Sequence, residues 1–104
     1  METKSFKVVV AAAGTPVRAS VTPLWCHSYV VIPWHENTGK AWVGAAAMVK
    51  ATGVNVHTYL PVPHENIVVS WNNRGEYSRS FDLSRIWIDA DVNGEAVIIT
   101  YNLL

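Results

Sequence analysis

Hydrophobic and polar residues alternate along most of the chain in short runs, and turn-forming residues interrupt these runs about every eight to twelve positions. A period of two places successive side chains on opposite faces of an extended strand. Turn signals at this spacing are typical of sandwiches and barrels. The pattern therefore predicts strands over residues 5–12, 17–22, 26–34, 40–44, 54–60, 66–71, 76–80, 85–90 and 95–101.

No long stretch shows the 3.6-residue period of an amphipathic helix. We therefore predict one all-β domain over residues 1–104, a compact antiparallel β-sandwich of about eight short strands, jelly-roll or immunoglobulin-like, without a substantial helix. The turn signal at Asn37-Thr38-Gly39 predicts a hairpin that joins strands 26–34 and 40–44. The alanine-rich segment 45–50 remains open, because a helical turn of this length is not stable alone.

Charge is sparse and balanced. Charged residues make up 15% of the chain, against about 25% in typical domains, and the formal net charge is zero with no run of either sign. Nucleic-acid grooves and anionic membrane surfaces need clustered lysine and arginine, so neither partner is expected. Residues 1–13 lack the features of a signal peptide or a membrane span, so a soluble, unprocessed product is expected.

Candidate catalytic and metal-binding groups are scattered. The single cysteine, Cys26, cannot form an internal disulfide and is predicted to be a buried thiol that points away from its neighbour His27. Asp89 and Asp91 are predicted to flank and cap the turn over residues 91–94. Zinc ligation would require two separate loops to meet, those that carry His35, Glu36, His64 and Glu65. We therefore expect no catalytic residues, no metal and no cofactor.

Tryptophan is the most informative residue type, with five copies in the chain. Trp71 is predicted to lie in the core. In the strand over 85–90, Ile86 and Ile88 take the core face, so Trp87 should face outward. Trp42 should face outward by the same alternation. Outward tryptophans on polar faces are typical of a contact surface, although cover by a loop of the same chain explains the pattern equally well.

Several motifs in chain order resemble small virion proteins of tailed bacteriophages. The resemblance covers most of the chain and consists of strands and turns without a catalytic signature. It is carried by four segments: Gly14-Thr15-Pro16-Val17-Arg18, Cys26-His27-Ser28-Tyr29-Val30-Val31-Ile32, Asn37-Thr38-Gly39-Lys40-Ala41-Trp42-Val43-Gly44 and Ser84-Arg85-Ile86-Trp87-Ile88-Asp89-Ala90-Asp91-Val92-Asn93-Gly94-Glu95-Ala96-Val97. Segments 57–63 and 72–80 depart from the family pattern, because they are longer and more aromatic.

The resemblance implies a β-sandwich that is made in the cytoplasm of a bacterial host and resides in the virion. It would act as a capsid decoration (cement) protein, or as a head or tail fibre or adaptor component. The implied partners are the major capsid protein or other virion proteins, together with copies of the chain itself, with a trimer favoured. The residues predicted to form the protein interface are Trp42, Trp87, Phe6, Val8 and Val10.

Two other classes of protein fit the same residues less directly. A carbohydrate-binding module would share the fold class and would stack its outward tryptophan and tyrosine rings on sugars. A small hydrolase would require polar residues clustered in a pocket, which the sequence does not indicate.

Overall fold

The computed structural model describes residues 2–61, 69–72 and 80–103, which form nine strands and one short 3-10 turn, Leu83–Arg85. The strands are β1 Thr3–Val9, β2 Val17–Arg18, β3 Trp25–Pro33, β4 Ala41–Val49, β5 Val54–Leu60, β6 Val69–Asn72, β7 Phe81–Asp82, β8 Trp87–Ala90 and β9 Ala96–Leu103.

The strands form two antiparallel sheets. Sheet A has the order β1-β9-β3-β6, with the short β7 paired to the first residues of β3, and sheet B has the order β2-β8-β4-β5. From β1 to β4, each strand lies in the opposite sheet from the strand before it. The strand orders of the two sheets are those of a jelly roll. The predicted all-β sandwich is therefore confirmed.

The core lies between the sheets and takes side chains from both inner faces. The predicted alternation holds in sheet B. Ala41 and Val43 of β4 are buried on the inner face of the sheet, and Trp42 between them points to the outer face. Ile88 of β8 is fully buried as well. Sheet A contributes mainly Val8, Val10, Tyr29, Val31, Val97, Ile99 and Tyr101.

The predicted hairpin at Asn37-Thr38-Gly39 is wrong, because β3 and β4 lie in different sheets and this loop crosses between them. Its anchors come from the beginning of β9. The Asn37 amide forms two hydrogen bonds with the backbone of Ala96, and the buried Glu95 carboxylate accepts hydrogen bonds from the backbone N–H groups of Thr38 and Gly39. A turn signal marks a change of direction, but it does not say which sheet receives the next strand.

Two strand predictions need correction at their ends. The strand predicted over 17–22 is limited to Val17–Arg18, followed by one backbone hydrogen bond from the N–H of Ala19 to the carbonyl oxygen of Ile86, and Val21 is 80% exposed. The ambiguous segment 45–50 belongs largely to β4, which ends at Val49. The predictions for His64 and Glu65 lie outside the described residues, as do the side chain of Trp71 and all of the strand predicted over 76–80 except Ser80, which is not in a strand.

Candidate interaction surface

Trp42 lies on the outer face of sheet B, as its alternation with buried neighbours predicts. It is half-buried, and its partner in the β4–β5 register is Tyr59, which is 48% exposed. The two ring centroids are 5.4 Å apart and the planes are inclined by 46°. A cross-strand aromatic pair therefore faces solvent in the described part of the chain.

Polar groups hold this pair in place. The indole N–H of Trp42 donates a 2.9 Å hydrogen bond to Oδ1 of Asp91. Lys50 Nζ donates to the same oxygen at 3.1 Å and to the carbonyl oxygen of Ala90 at 2.6 Å. Lys40 Nζ lies 4.8 Å from the centroid of the Tyr59 ring. We call Lys40, Trp42, Lys50, Tyr59 and Asp91 the aromatic patch.

The charge on Asp91 is stabilised by its neighbours. Burial disfavours the ionised form, but the hydrogen bonds from Lys50 and Trp42 and the positive charges of Lys50 and Lys40 outweigh it and lower the pKa of this carboxyl. The acceptor of the indole hydrogen bond is therefore charged at neutral pH. A charge-assisted bond of this kind fixes the orientation of the Trp42 ring in the single chain.

A large bulge in β4 places Lys50 over this face of the sheet. Gly44 pairs with Val56 and Val49 with Val54, so residues 45–48 face a single residue, Asn55. Ala47 and Asn55 both adopt positive φ, and the Asn55 side chain donates to the carbonyl oxygen of Ala46. The departure of segment 45–50 from strand alternation is the single signal of this bulge that we find in the sequence.

Gly44 permits the bulge because it has no side chain, and the space beside its Cα is too small for one. A Cβ atom at this position would lie 2.3 Å from the carbonyl oxygen of Asn55 and 2.7 Å from Sδ of Met48. The close approach of the β5 backbone and the Met48 thioether therefore requires glycine.

Trp87, the second predicted contact residue, is half-buried on the outer face of β8 and pairs with Arg18 and Gly44 in register. It lines an open depression of about 400 Å³ together with Arg18, Ala45, Ala46, Ser84 and Arg85. The Arg18 side chain is held there by a 3.1 Å hydrogen bond from Nε to the carbonyl oxygen of Ser84. No residue lining this depression belongs to the aromatic patch. The two tryptophans predicted to form the interface therefore lie in separate places, Trp42 in the aromatic patch and Trp87 in the depression.

The three predicted interface residues near the amino terminus, two in β1 and one directly after it, point inward. Val8 and Val10 are buried in the core, and Phe6 is half-buried with its ring edge-on to Tyr101 at 5.7 Å. Val8 and Val10 therefore offer almost no surface in the single chain, and the candidate surface is built from the aromatic patch without them.

The possible reactive groups serve the fold. Cys26 is fully buried, and burial, with a smaller effect of the Asp82 charge, raises the pKa of its thiol to about 11. Asp89 accepts hydrogen bonds from the N–H groups of Gly14 and Ala90, so it anchors the β1–β2 loop instead of capping the turn after β8. Within the described ranges, no cluster of three or more His, Cys, Asp or Glu side chains could hold a metal ion.

No helix in the described residues is long and apolar enough to cross a bilayer. Comparisons of the chain with protein-family models, with curated proteins and with solved structures found no match.

Proposed function

We propose that this protein is a non-enzymatic structural component of a bacteriophage particle, a capsid decoration protein that binds the assembled shell through the aromatic patch. The observation that carries the proposal is the outward-facing pair of the half-buried Trp42 and the exposed Tyr59, in which the Trp42 ring is oriented by the hydrogen bond to Asp91. Tryptophan and tyrosine are enriched among the residues that dominate binding energy at protein interfaces. Fixing them before binding reduces the entropy lost on association.

The fold and the charge balance support this proposal by analogy. Jelly rolls serve as viral capsid domains and as lectins, so the fold is compatible with the role but does not establish it. A chain with zero formal net charge and few charged residues has little electrostatic repulsion to prevent close packing of many copies on a shell. By binding assembled shells and not free subunits, the protein would stabilise the particle through mass action.

The test compares phage particles assembled with the intact gene, without it, and with the W42A variant. We expect the chain to be a stoichiometric component of purified wild-type particles, and particles that lack it to release DNA at a lower temperature. W42A should bind shells about 10- to 100-fold more weakly, because truncation of a dominant interface residue costs roughly 2 kcal/mol or more.

Trp25→Ala is the matched control. Trp25 is 45% exposed at the beginning of β3 in the other sheet. The substitution therefore removes an exposed indole ring and leaves the aromatic patch unchanged. We expect wild-type shell binding for this variant. Particles that lack the chain yet withstand heat as well as wild type would contradict the decoration role, and equal losses from both variants would contradict the assignment of the aromatic patch.

The second candidate function is carbohydrate binding, which the composition of the aromatic patch favours specifically. Two rings available for stacking lie beside the charged side chains of Lys40, Lys50 and Asp91, which could hydrogen-bond hydroxyl groups. A glycan array separates the two functions. Saturable binding of one sugar class by the isolated protein, lost in both W42A and Tyr59→Ala, would favour the carbohydrate role over shell attachment.

A further inference from the structure

The amino-terminal strand β1 forms one edge of sheet A. It runs over seven residues, contains no proline, and pairs on one side with β9; no other described strand pairs with it. A long edge strand of this kind presents unpaired backbone groups and is a template for a further strand.

The hydrogen bonds to β9 show which backbone groups face the free edge. Leu103 donates its N–H to the carbonyl oxygen of Glu2, and Val10 donates its N–H to that of Glu95. Because antiparallel strands bond through alternate residues, the even-numbered positions of β1 bond to β9. The N–H and C=O groups of the odd-numbered positions therefore point away from the sheet, at Thr3, Ser5, Lys7 and Val9.

We propose that β1 pairs antiparallel with β1 of a second copy of this chain around a two-fold axis, with Phe6 opposite Phe6 of that copy. The two A sheets then become one continuous sheet. The pairing does not depend on the virion role.

Charge restricts the register of this pairing. Since odd positions must bond to odd positions, the two-fold axis passes through one of the residues of β1. An axis at Lys4 or at Lys7 would set two lysines directly opposite each other, which is destabilising. Near the middle of β1, an axis through Ser5 or Phe6 places no lysine opposite another lysine. The Phe6 axis pairs all seven residues, with Thr3 opposite Val9 and Ser5 opposite Lys7.

The side chains of β1 also favour the axis at Phe6. The Phe6 ring is half-buried at the margin of the core, where it contacts Tyr101. In an antiparallel ladder, Phe6 would form a pair without direct hydrogen bonds, in which opposite side chains approach most closely. The second Phe6 ring would cover the exposed part of the first, and aromatic cross-strand pairs of this kind stabilise sheets.

A second copy fits this edge because the pairing is self-complementary. An isologous interface uses the same patch on both chains, so every free backbone group of β1 meets its counterpart. The chain carries no net charge that would keep two copies apart.

The direct test is Ser5→Pro, with Ser5→Ala as the matched control. Proline removes the Ser5 N–H, which faces the free edge and which the β1–β9 ladder does not use. Both variants lose the exposed contact between the hydroxyl groups of Ser5 and Thr100. By sedimentation equilibrium we expect wild type and Ser5→Ala to be dimers at high concentration, and Ser5→Pro to remain monomeric with an unchanged circular dichroism spectrum.

A wild-type mass of one chain at high concentration would overturn the pairing, as would a trimer or a Ser5→Pro dimer. If Ser5→Pro unfolds the chain, amide hydrogen exchange of the wild-type protein tests the β1–β1 pairing instead. The amide protons of Ser5 and Lys7 should exchange at least tenfold more slowly in concentrated than in dilute samples, while that of Phe6 is protected in both. Equal exchange of Ser5 and Lys7 at both concentrations would refute the proposal.

Discussion

Asn37 closes the crossing between the two sheets, and its replacement by alanine tests this architecture. The side chain is buried, with 6% exposed. Its Nδ2 donates to the carbonyl oxygen of Ala96 at 2.7 Å, and its Oδ1 accepts from the N–H of Ala96 at 3.0 Å. The N–H of Trp34 also donates to that carbonyl, at 3.1 Å. The Asn37 amide thus extends the β3–β9 ladder beyond the end of β3.

The magnitude follows from these bonds. Asn37→Ala removes both side-chain bonds, and loss of the bond donated to the Ala96 carbonyl costs about 1 kcal/mol net. It also leaves the Ala96 N–H without this acceptor, whereas the Ala96 carbonyl retains Trp34. A buried donor without a partner costs about 1–3 kcal/mol. We therefore expect the free energy of unfolding to fall by about 2–4 kcal/mol, a large share of the roughly 5–15 kcal/mol typical of a domain.

Thermal and urea unfolding followed by circular dichroism measure this loss, and we expect Tm to fall by roughly 10–25 °C. Asn93→Ala is the control, because Asn93 is exposed and accepts one hydrogen bond, from the N–H of Ala13. We expect Asn93→Ala to lower the free energy of unfolding by about 1 kcal/mol or less. Asn37→Asp should destabilise at least as much as Asn37→Ala, because a carboxylate oxygen replaces the donor that faces the Ala96 carbonyl.

Equal stability of the Asn37→Ala and Asn93→Ala variants would refute this reasoning. The crossing loop would then not be anchored through the Asn37 amide.

Three further predictions follow from single positions. Gly44→Ala should lower the free energy of unfolding by about 1–3 kcal/mol in the same unfolding assay, since the new Cβ meets the Asn55 backbone; Gly39→Ala, whose nearest neighbours are side-chain atoms at 3.1 Å or more, should cost less. Burial opposes the ionisation of Asp82, but hydrogen bonds from Ser84 and Leu24 and the positive charge of Arg85 lower the pKa of its carboxyl. The contribution of the Asp82 carboxylate to stability is therefore complete above about pH 4 and is lost as the pH falls through that lowered pKa. Asp82→Asn should weaken the dependence of urea unfolding on acid pH. Cys26, with its pKa raised to about 11 by burial and by the Asp82 charge, should resist a thiol reagent at pH 8 until the chain unfolds, and rapid labelling of the native protein would contradict its placement.

The predictions that the structure confirms are those that depend on neighbouring residues. Alternation placed Ala41 and Val43 inside and Trp42 outside, and it placed Ile88 in the core beside an outward Trp87. The single buried cysteine was also predicted correctly. The failure of the hairpin at residues 37–39 has a different origin, because both loop types need the same turn-forming residues.

The sequence by itself determined the extended conformation, the two-faced strands and the absence of a long helix from the described residues, since a two-residue period is a local property of the chain. Only the tertiary structure decided which strands share a sheet and which outward side chains meet. Trp42 finds its acceptor at Asp91, and Asn37 finds Ala96, across 49 and 59 positions of sequence. Such contacts arise when two sheets pack face to face, and no periodicity in a single strand encodes which distant strand will lie beside it.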